Sequence, residues 1–170
     1  MKHKDAVSVL RQKGYTWREI AEFLTDQGVQ VDHTTLFRLF KGVAQMTNES
    51  ISVPDANVYA VALEKINVTP IEKKMLLAHY ASHNRAITYT DLAKAANFDD
   101  NKPANSGYGR LGHRLGDAIG FNFEKFKDSG VEWYSSALGM QMPEPWAAGE
   151  MRIVMHHEVA RALEQLLWVK

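Results

Sequence analysis

Apolar residues recur at helical spacing in the first 42 positions. Trp17, Ile20, Ala21 and Leu24 fall at i, i+3, i+4 and i+7, which places them on one face of a helix over residues 16–27. Thr16 and Glu19 stand three apart at its start, the arrangement in which a hydroxyl and a carboxylate cap each other's backbone amides. A second short helix, over residues 33–41, takes Leu36, Leu39 and Phe40 as its stripe, with Asp32 as its capping residue. An earlier run, residues 4–13, groups Ala6, Val7 and Leu10 and ends at Gly14. Three short helices closing near Gly42, the last two joined by a tight polar link over residues 28–32, predict a helix-turn-helix module.

Residues 43–56 are polar, interrupted by Pro54 and without periodicity, so they read as a linker. The connecting region, 43–69, also holds a short helix over 56–66 with Val58, Ala62 and Leu63 as its buried side. Thr69-Pro70-Ile71-Glu72 then supplies a capping hydroxyl, a proline at the first helical position and a reciprocal glutamate. The helix it opens is expected to reach Ser82, burying Ile71, Met75, Leu76, Ala78 and Tyr80. Residues 86–89 form a short strand, after which Thr88 or Thr90 caps a helix carrying Leu92, Ala93 and Ala96. The polar run 99–103 predicts a turn. A helix over 105–119 follows, with Tyr108, Leu111, Leu115 and Ile119 on one side and Arg110, His113 and Arg114 on the other. Gly107, Gly109, Gly112 and Gly116 weaken it by ~1 kcal/mol each relative to alanine, so its backbone must lie close to something, another helix or DNA. The β-prone runs 131–138 and 152–155 flank the loop GMQMPEPWAAGE and predict a wing-type hairpin. A last helix, 157–167, is expected to bury Val159, Ala160, Leu163, Leu166 and Leu167.

The expected fold is therefore mainly α. A three-helix helix-turn-helix module occupies residues 1–42, and a winged-helix-like α+β domain with a small β-hairpin occupies 70–170.

Composition narrows the function. The chain has 170 residues and a 45% apolar fraction, enough for true cores. Twenty acids balance twenty bases, so any attraction to nucleic acid must come from locally sorted charge. Residues 1–42 hold seven Lys/Arg against five Asp/Glu, a mild excess that predicts weak binding by one copy and favours a homodimer or a second contacting module. Cysteine is absent, which removes disulfides, thiolate zinc sites and cysteine nucleophiles together, and suits the cytoplasm. There is no 18-residue apolar run, and the start MKHKDAVSVLRQKG has too small a hydrophobic core for a signal peptide, so no membrane partner is expected.

The second helix of the N-terminal pair carries Thr34, Thr35, Arg38 and Lys41 opposite its apolar stripe. Small hydroxyls near a helix start tolerate close approach to a duplex, and a cation further along reaches base edges or phosphates. Thr34 and Thr35 are candidates for phosphate or thymine-methyl contact, Arg38 for the O6 and N7 of guanine. Arg110, His113 and Arg114 suggest a second nucleic-acid face, with Lys102, Lys125 and Lys127 adding phosphate contacts. Trp133, Tyr134 and Trp146 read as core or wing packing in preference to base-stacking platforms.

No catalytic constellation competes with this. His156-His157-Glu158 places adjacent histidines in different directions, and His79 with His83, at i and i+4, lacks the HExxH glutamate. The glycines of NSGYGRLG lack the order of a phosphate-binding loop. Neither metal nor cofactor is expected, and the protein reads as a non-enzyme.

The run TWREIAEFLTDQGVQVDHTTLFRLF resembles the helix-turn-helix of resolvases, transposases and plasmid-encoded DNA-binding proteins. That resemblance implies DNA contact through Thr34, Thr35 and Arg38, and no recombinase nucleophile motif accompanies it. ITYTDLAKAA is faintly similar to the helix-turn-helix entry of alkyltransferase-like repair proteins, without their active-site cysteine motif. The wider stretch from ITYTDLAKAANF to RIVMHHEVARALEQL resembles a winged-helix-like domain of uncharacterised bacterial proteins, which implies a bacterial or phage setting. The expected function is that of a sequence-specific double-stranded DNA-binding protein, a transcriptional regulator or accessory factor of a bacterium or mobile genetic element. The alternative is a phage–host conflict protein, acting in defence or anti-defence, that binds a protein or nucleoprotein complex.

Overall fold

The computed structural model describes residues 3–12, 15–40, 53–126, 128–142 and 149–169. The chain divides into two compact units, residues 1–52 with 143–149, and residues 53–142 with 150–170. The architecture is mainly helical with a three-stranded antiparallel sheet and a separate two-stranded one; among the described residues there are eight α-helices, and none is long and apolar enough to cross a membrane.

In the N-terminal unit, α1 (Lys4–Gln12), α2 (Trp17–Asp26) and α3 (His33–Leu39) bury Ala6, Val7, Leu10, Ile20, Ala21, Leu24, Leu36 and Phe40. The cap of α2 forms as its sequence dictates: the Glu19 amide donates to the Thr16 hydroxyl at 3.2 Å, and the Thr16 amide donates to the Glu19 carboxylate at 2.7 Å. Leu39 departs from expectation and is exposed. Only Leu36 and Phe40 turn inward, because an i, i+4 pair is enough to seat so short a helix.

The C-terminal unit begins with α4 (Ala56–Lys65), which packs on the last helix and so belongs to this core. It buries Tyr59, Ala60, Ala62 and Leu63, while Val58 points outward. Next comes α5 (Pro70–Ala81), opened by the Thr69/Glu72 capping box. Its buried side is Glu72, Met75, Leu76 and His79; Ile71 is exposed. The turn at Asn84 and Arg85 holds both residues at positive φ and leads into β1 (Ala86–Thr88). Thr88 caps α6 (Tyr89–Ala96), and Asn97 closes it in the left-handed region, where asparagine costs less than most side chains.

Helix α7 runs over Asn101–Ile119, four residues longer at its start than the sequence suggests. Asp100 caps it by accepting the Lys102 amide at 2.7 Å, and Pro103 falls in the first turn, where no intrahelical amide bond is required. The glycines of α7 explain why its backbone can be approached. A Cβ at Gly112 would collide with the backbone of Tyr134, one at Gly116 with the Phe123 ring, and one at Gly107 would touch the Met75 methyl at 3.4 Å. Gly109 faces open space.

The expected long strand over 131–138 does not form. Instead β2 (Glu124–Lys125) pairs with β3 (Glu132–Trp133), and a 3-10 turn over Tyr134–Ala137 intervenes before β4 (Gly139–Gln141). Side chains hold that turn against strand geometry: the Tyr59 hydroxyl donates to the Ala137 carbonyl at 2.9 Å, His156 Nε2 donates to the Ser136 carbonyl at 2.8 Å, and the Ser136 hydroxyl oxygen accepts the Glu124 amide at 3.0 Å. The sheet is completed by β5 (Arg152–Met155), with order β1-β5-β4, all antiparallel; Ile87 and Gln141 both face Ile153 across it. The final helix, α8 (His157–Gln165), buries Val159, Ala160, Ala162 and Leu163. Leu167 lies past its end at φ 54 and is exposed, contrary to expectation. Residues 43–52 of the expected linker over 43–56, residues 143–148 with Trp146, and Lys127 lie outside the described residues.

Candidate nucleic-acid interface

Two surfaces, one in each unit, carry the residues singled out by sequence. The first is the outer side of α3. Asp32 organises its start: one carboxylate oxygen accepts the amides of Thr34 and Thr35, both at 2.9 Å, and the other accepts the Thr35 hydroxyl at 2.6 Å. These bonds, the Thr35 hydroxyl foremost, hold the Asp32 carboxyl down at about 2. The consequence for Thr35 is that its hydroxyl is committed within the cap. Thr34 and Arg38 remain exposed, and among the described residues the Arg38 guanidinium has no hydrogen-bond or ion-pair partner. Lys41 lies outside the described residues.

Phe37 belongs to this surface, although the apolar stripe gave no role to it. It is 47% exposed and sits three residues after Thr34 and one before Arg38, on the same side of the helix. The signal was present in the spacing: Thr34, Phe37, Arg38 and Lys41 fall at i, i+3, i+4 and i+7. Trp17 of α2 supports the ring edge-on, with centroids 6.4 Å apart, and Trp17 is itself stacked on Phe40 and covered by the Arg11 guanidinium at 4.8 Å.

The second surface is the polar side of α7. The helix carries Lys102, Arg110, His113 and Arg114 on this side, with Asp100 at its cap and Asp117 in its last turn, so the basic residues are concentrated between two carboxylates. Lys102 is exposed. Arg110 is exposed too, with one nitrogen donating to the Ser106 hydroxyl at 2.7 Å. His113 stacks on Tyr134 at a centroid distance of 4.2 Å and comes within 3.5 Å of the Asp117 carboxylate. Phe123 meets Tyr134 edge-on at 5.1 Å. Trp133 is buried as expected, whereas Tyr134 is 36% exposed and forms part of the surface.

Arg114 has a different position. One of its nitrogens donates to both oxygens of the buried Glu72, at 3.0 and 2.9 Å, and Glu72 also accepts the Thr69 amide and hydroxyl. The guanidinium thus fastens the start of α5 to α7.

The histidines weighed as metal ligands are held elsewhere. His79 is fully buried; its Nδ1 accepts the Tyr108 hydroxyl at 2.6 Å and its Nε2 donates to the Ile153 carbonyl at 2.9 Å, so both ring nitrogens are engaged. His83 lies beyond the end of α5 and is exposed. Among the described residues no group of three or more histidine, aspartate or glutamate side chains is placed to hold a metal ion. Comparison with known proteins matches no family model, no curated protein and no solved structure.

Proposed function

We propose that this chain is a sequence-specific, non-enzymatic binder of double-stranded DNA, working in the cytoplasm as a homodimeric transcriptional regulator or accessory factor of a bacterium or mobile genetic element. The observation that carries the reading is the outer side of α3, where an exposed, unengaged Arg38 stands one turn from the exposed Thr34 at a firmly capped helix start. A short helix packed on α2 through Leu36 and Phe40, with Thr34, Phe37 and Arg38 exposed on its other side, supports a helix-turn-helix reading. Thr34 would contact the sugar-phosphate chain, Arg38 a guanine edge, and Lys41 a phosphate.

The C-terminal unit is read as winged-helix-like. The succession α5, β1, α6, α7, β4, β5, α8 and the strand order β1-β5-β4 support that reading, with α7 as the helix facing the duplex and β4 and β5 as the strands of the wing. Lys102, Arg110 and His113 would then add a second set of contacts, with Lys102 and Arg110 supplying the charge.

Purified protein incubated with a random-sequence duplex pool, followed by sequencing of the retained DNA, tests the reading. Enrichment of a common motif, with affinity falling steeply as salt rises, is the expected result. Absence of enrichment at low salt would refute it. A protein-binding role in phage–host conflict is the second reading, favoured by Val58 and Val61, both exposed on the outer side of α4. Binding of that kind would change little with salt.

A further inference from the structure

We infer that Phe37 reads a thymine methyl group, and that it does so beside the base edge taken by Arg38; the inference rests on the DNA-binding reading of α3. A large aromatic ring 47% exposed on a polar helix side has no part in the core of its own unit, which is served from α3 by Leu36 and Phe40. The ring is nonetheless held in place, because Trp17 meets it edge-on at 6.4 Å and is itself fixed by Phe40 and Arg11. A rigidly presented ring suits recognition of a small apolar target, since little freedom is lost when the target arrives. Leu39, two residues on and about 200° around the helix, is exposed on another side, so Phe37 does not belong to a continuous apolar patch on α3.

Its neighbours say what the target is. Thr34 and Arg38 flank the ring on the same side, the nearest carboxylate, Asp32, is turned into its own cap by the Thr34 and Thr35 amides and the Thr35 hydroxyl, and Arg38 has no partner among the described residues, so the fitting occupant presents an acceptor or anion beside a small apolar group. In a DNA major groove that group is the C5-methyl of thymine, the one apolar feature on a base edge there. Thr35, a sequence candidate for the same contact, has its hydroxyl bound to Asp32 at 2.6 Å and is half-buried, and Phe37 takes its place on the reading side.

The test uses the full chain and the tightest duplex recovered from a random pool, remade with deoxyuridine at each thymine in turn, which deletes one methyl group and nothing else. One position is expected to lose about three- to five-fold in affinity, the factor for a single buried methyl group. Phe37→Ala should bind the thymine and uracil forms of that position equally, whereas Phe37→Leu, which keeps an apolar contact and guards against misfolding of the alanine variant, should retain part of the discrimination. Equal binding of both forms by the unaltered protein at every position overturns the inference and leaves the DNA-binding reading intact. A uracil penalty unchanged in both variants also overturns it, since another residue then reads the methyl. If no duplex is retained at all, both fall. If the unaltered protein is insensitive to uracil and Phe37→Ala converts a dimer to a monomer in sedimentation, the ring belongs to a contact with a second copy and the inference fails.

Discussion

The Tyr108 hydroxyl donates to Nδ1 of His79 at 2.6 Å, because the carbonyl of Ile153, which can only accept, takes the proton on Nε2 at 2.9 Å and so fixes the tautomer of this fully buried imidazole. Burial is the main reason the His79 pKa drops from its ordinary 6.5 to about 4, with the nearby His156 contributing in the same direction. The folded chain therefore keeps this ring neutral while the unfolded chain protonates it. Stability from His79 is complete above about pH 6.5 and is lost as pH falls through the window between 6.5 and 4. The loss is expected to approach roughly 3 kcal/mol at the acid end, and urea unfolding at a series of pH values should show it. Tyr108→Phe leaves Nδ1 buried without a donor and should cost roughly 1–3 kcal/mol at neutral pH.

Gly109 and Gly112 stand three apart on α7 and should respond to alanine with opposite signs. A Cβ at Gly112 runs into the Tyr134 backbone, which cannot swing aside as a side chain would, so Gly112→Ala should destabilise by about 1–3 kcal/mol. Gly109 faces open space, and Gly109→Ala should stabilise by up to ~1 kcal/mol through helix propensity. Denaturant midpoints for the two variants check both.

Arg38 and Arg114 separate binding from folding. Arg38→Ala should leave the thermal midpoint unchanged and weaken binding to the selected duplex by about 1–3 kcal/mol. Arg114→Ala should lower stability first, because it strips the partner from the buried Glu72. With the arginine side chain 39% exposed and solvent-screened, the cost is expected to be about 1–2 kcal/mol and not the larger figure of a sealed ion pair. Calorimetry and a binding titration on both variants distinguish the two roles.

Glu150 bonds the first turn of α6, accepting the Thr90 amide at 3.1 Å and the Thr90 hydroxyl at 2.8 Å. Since this carboxylate ties the chain entering β5 to a neighbouring helix, Glu150→Ala should raise amide exchange at Thr90 and near the start of β5 while leaving α4 and α8 protected. Mass-resolved hydrogen exchange measures it.

Local chemistry was legible in the sequence where it is local in space. Thr16 with Glu19, Thr69-Pro70 with Glu72, and Asp32 announced three helix starts, because capping needs only neighbours along the chain. The run 131–138 misled because its β-prone residues are bent by partners far away, Tyr59 and His156 among them, which no pattern within the run reveals. Arg114 misled for the same reason: its polar position on α7 is correct, but Glu72, forty-two residues earlier, claims it. On α3 the face was readable and its membership was not, since helical spacing admits Phe37 while residue type argued for Thr35.

The strand order has a consequence for synthesis. A chain growing from its N-terminus has the residues of α1, α2 and α3 in hand by Phe40, and their packing is local. The middle of the sheet is β5, which does not exist until Met155 is added, and α4 waits longer still for α8. At ~5–20 residues per second, the ribosome holds for several seconds a set of nascent helices, α4 to α7, that can pack on one another but whose sides facing the sheet and α8 are still uncovered. A transcript truncated before Arg152 would release β1 and β4 with no strand to join them, a product suited to chaperones or proteases and not to refolding.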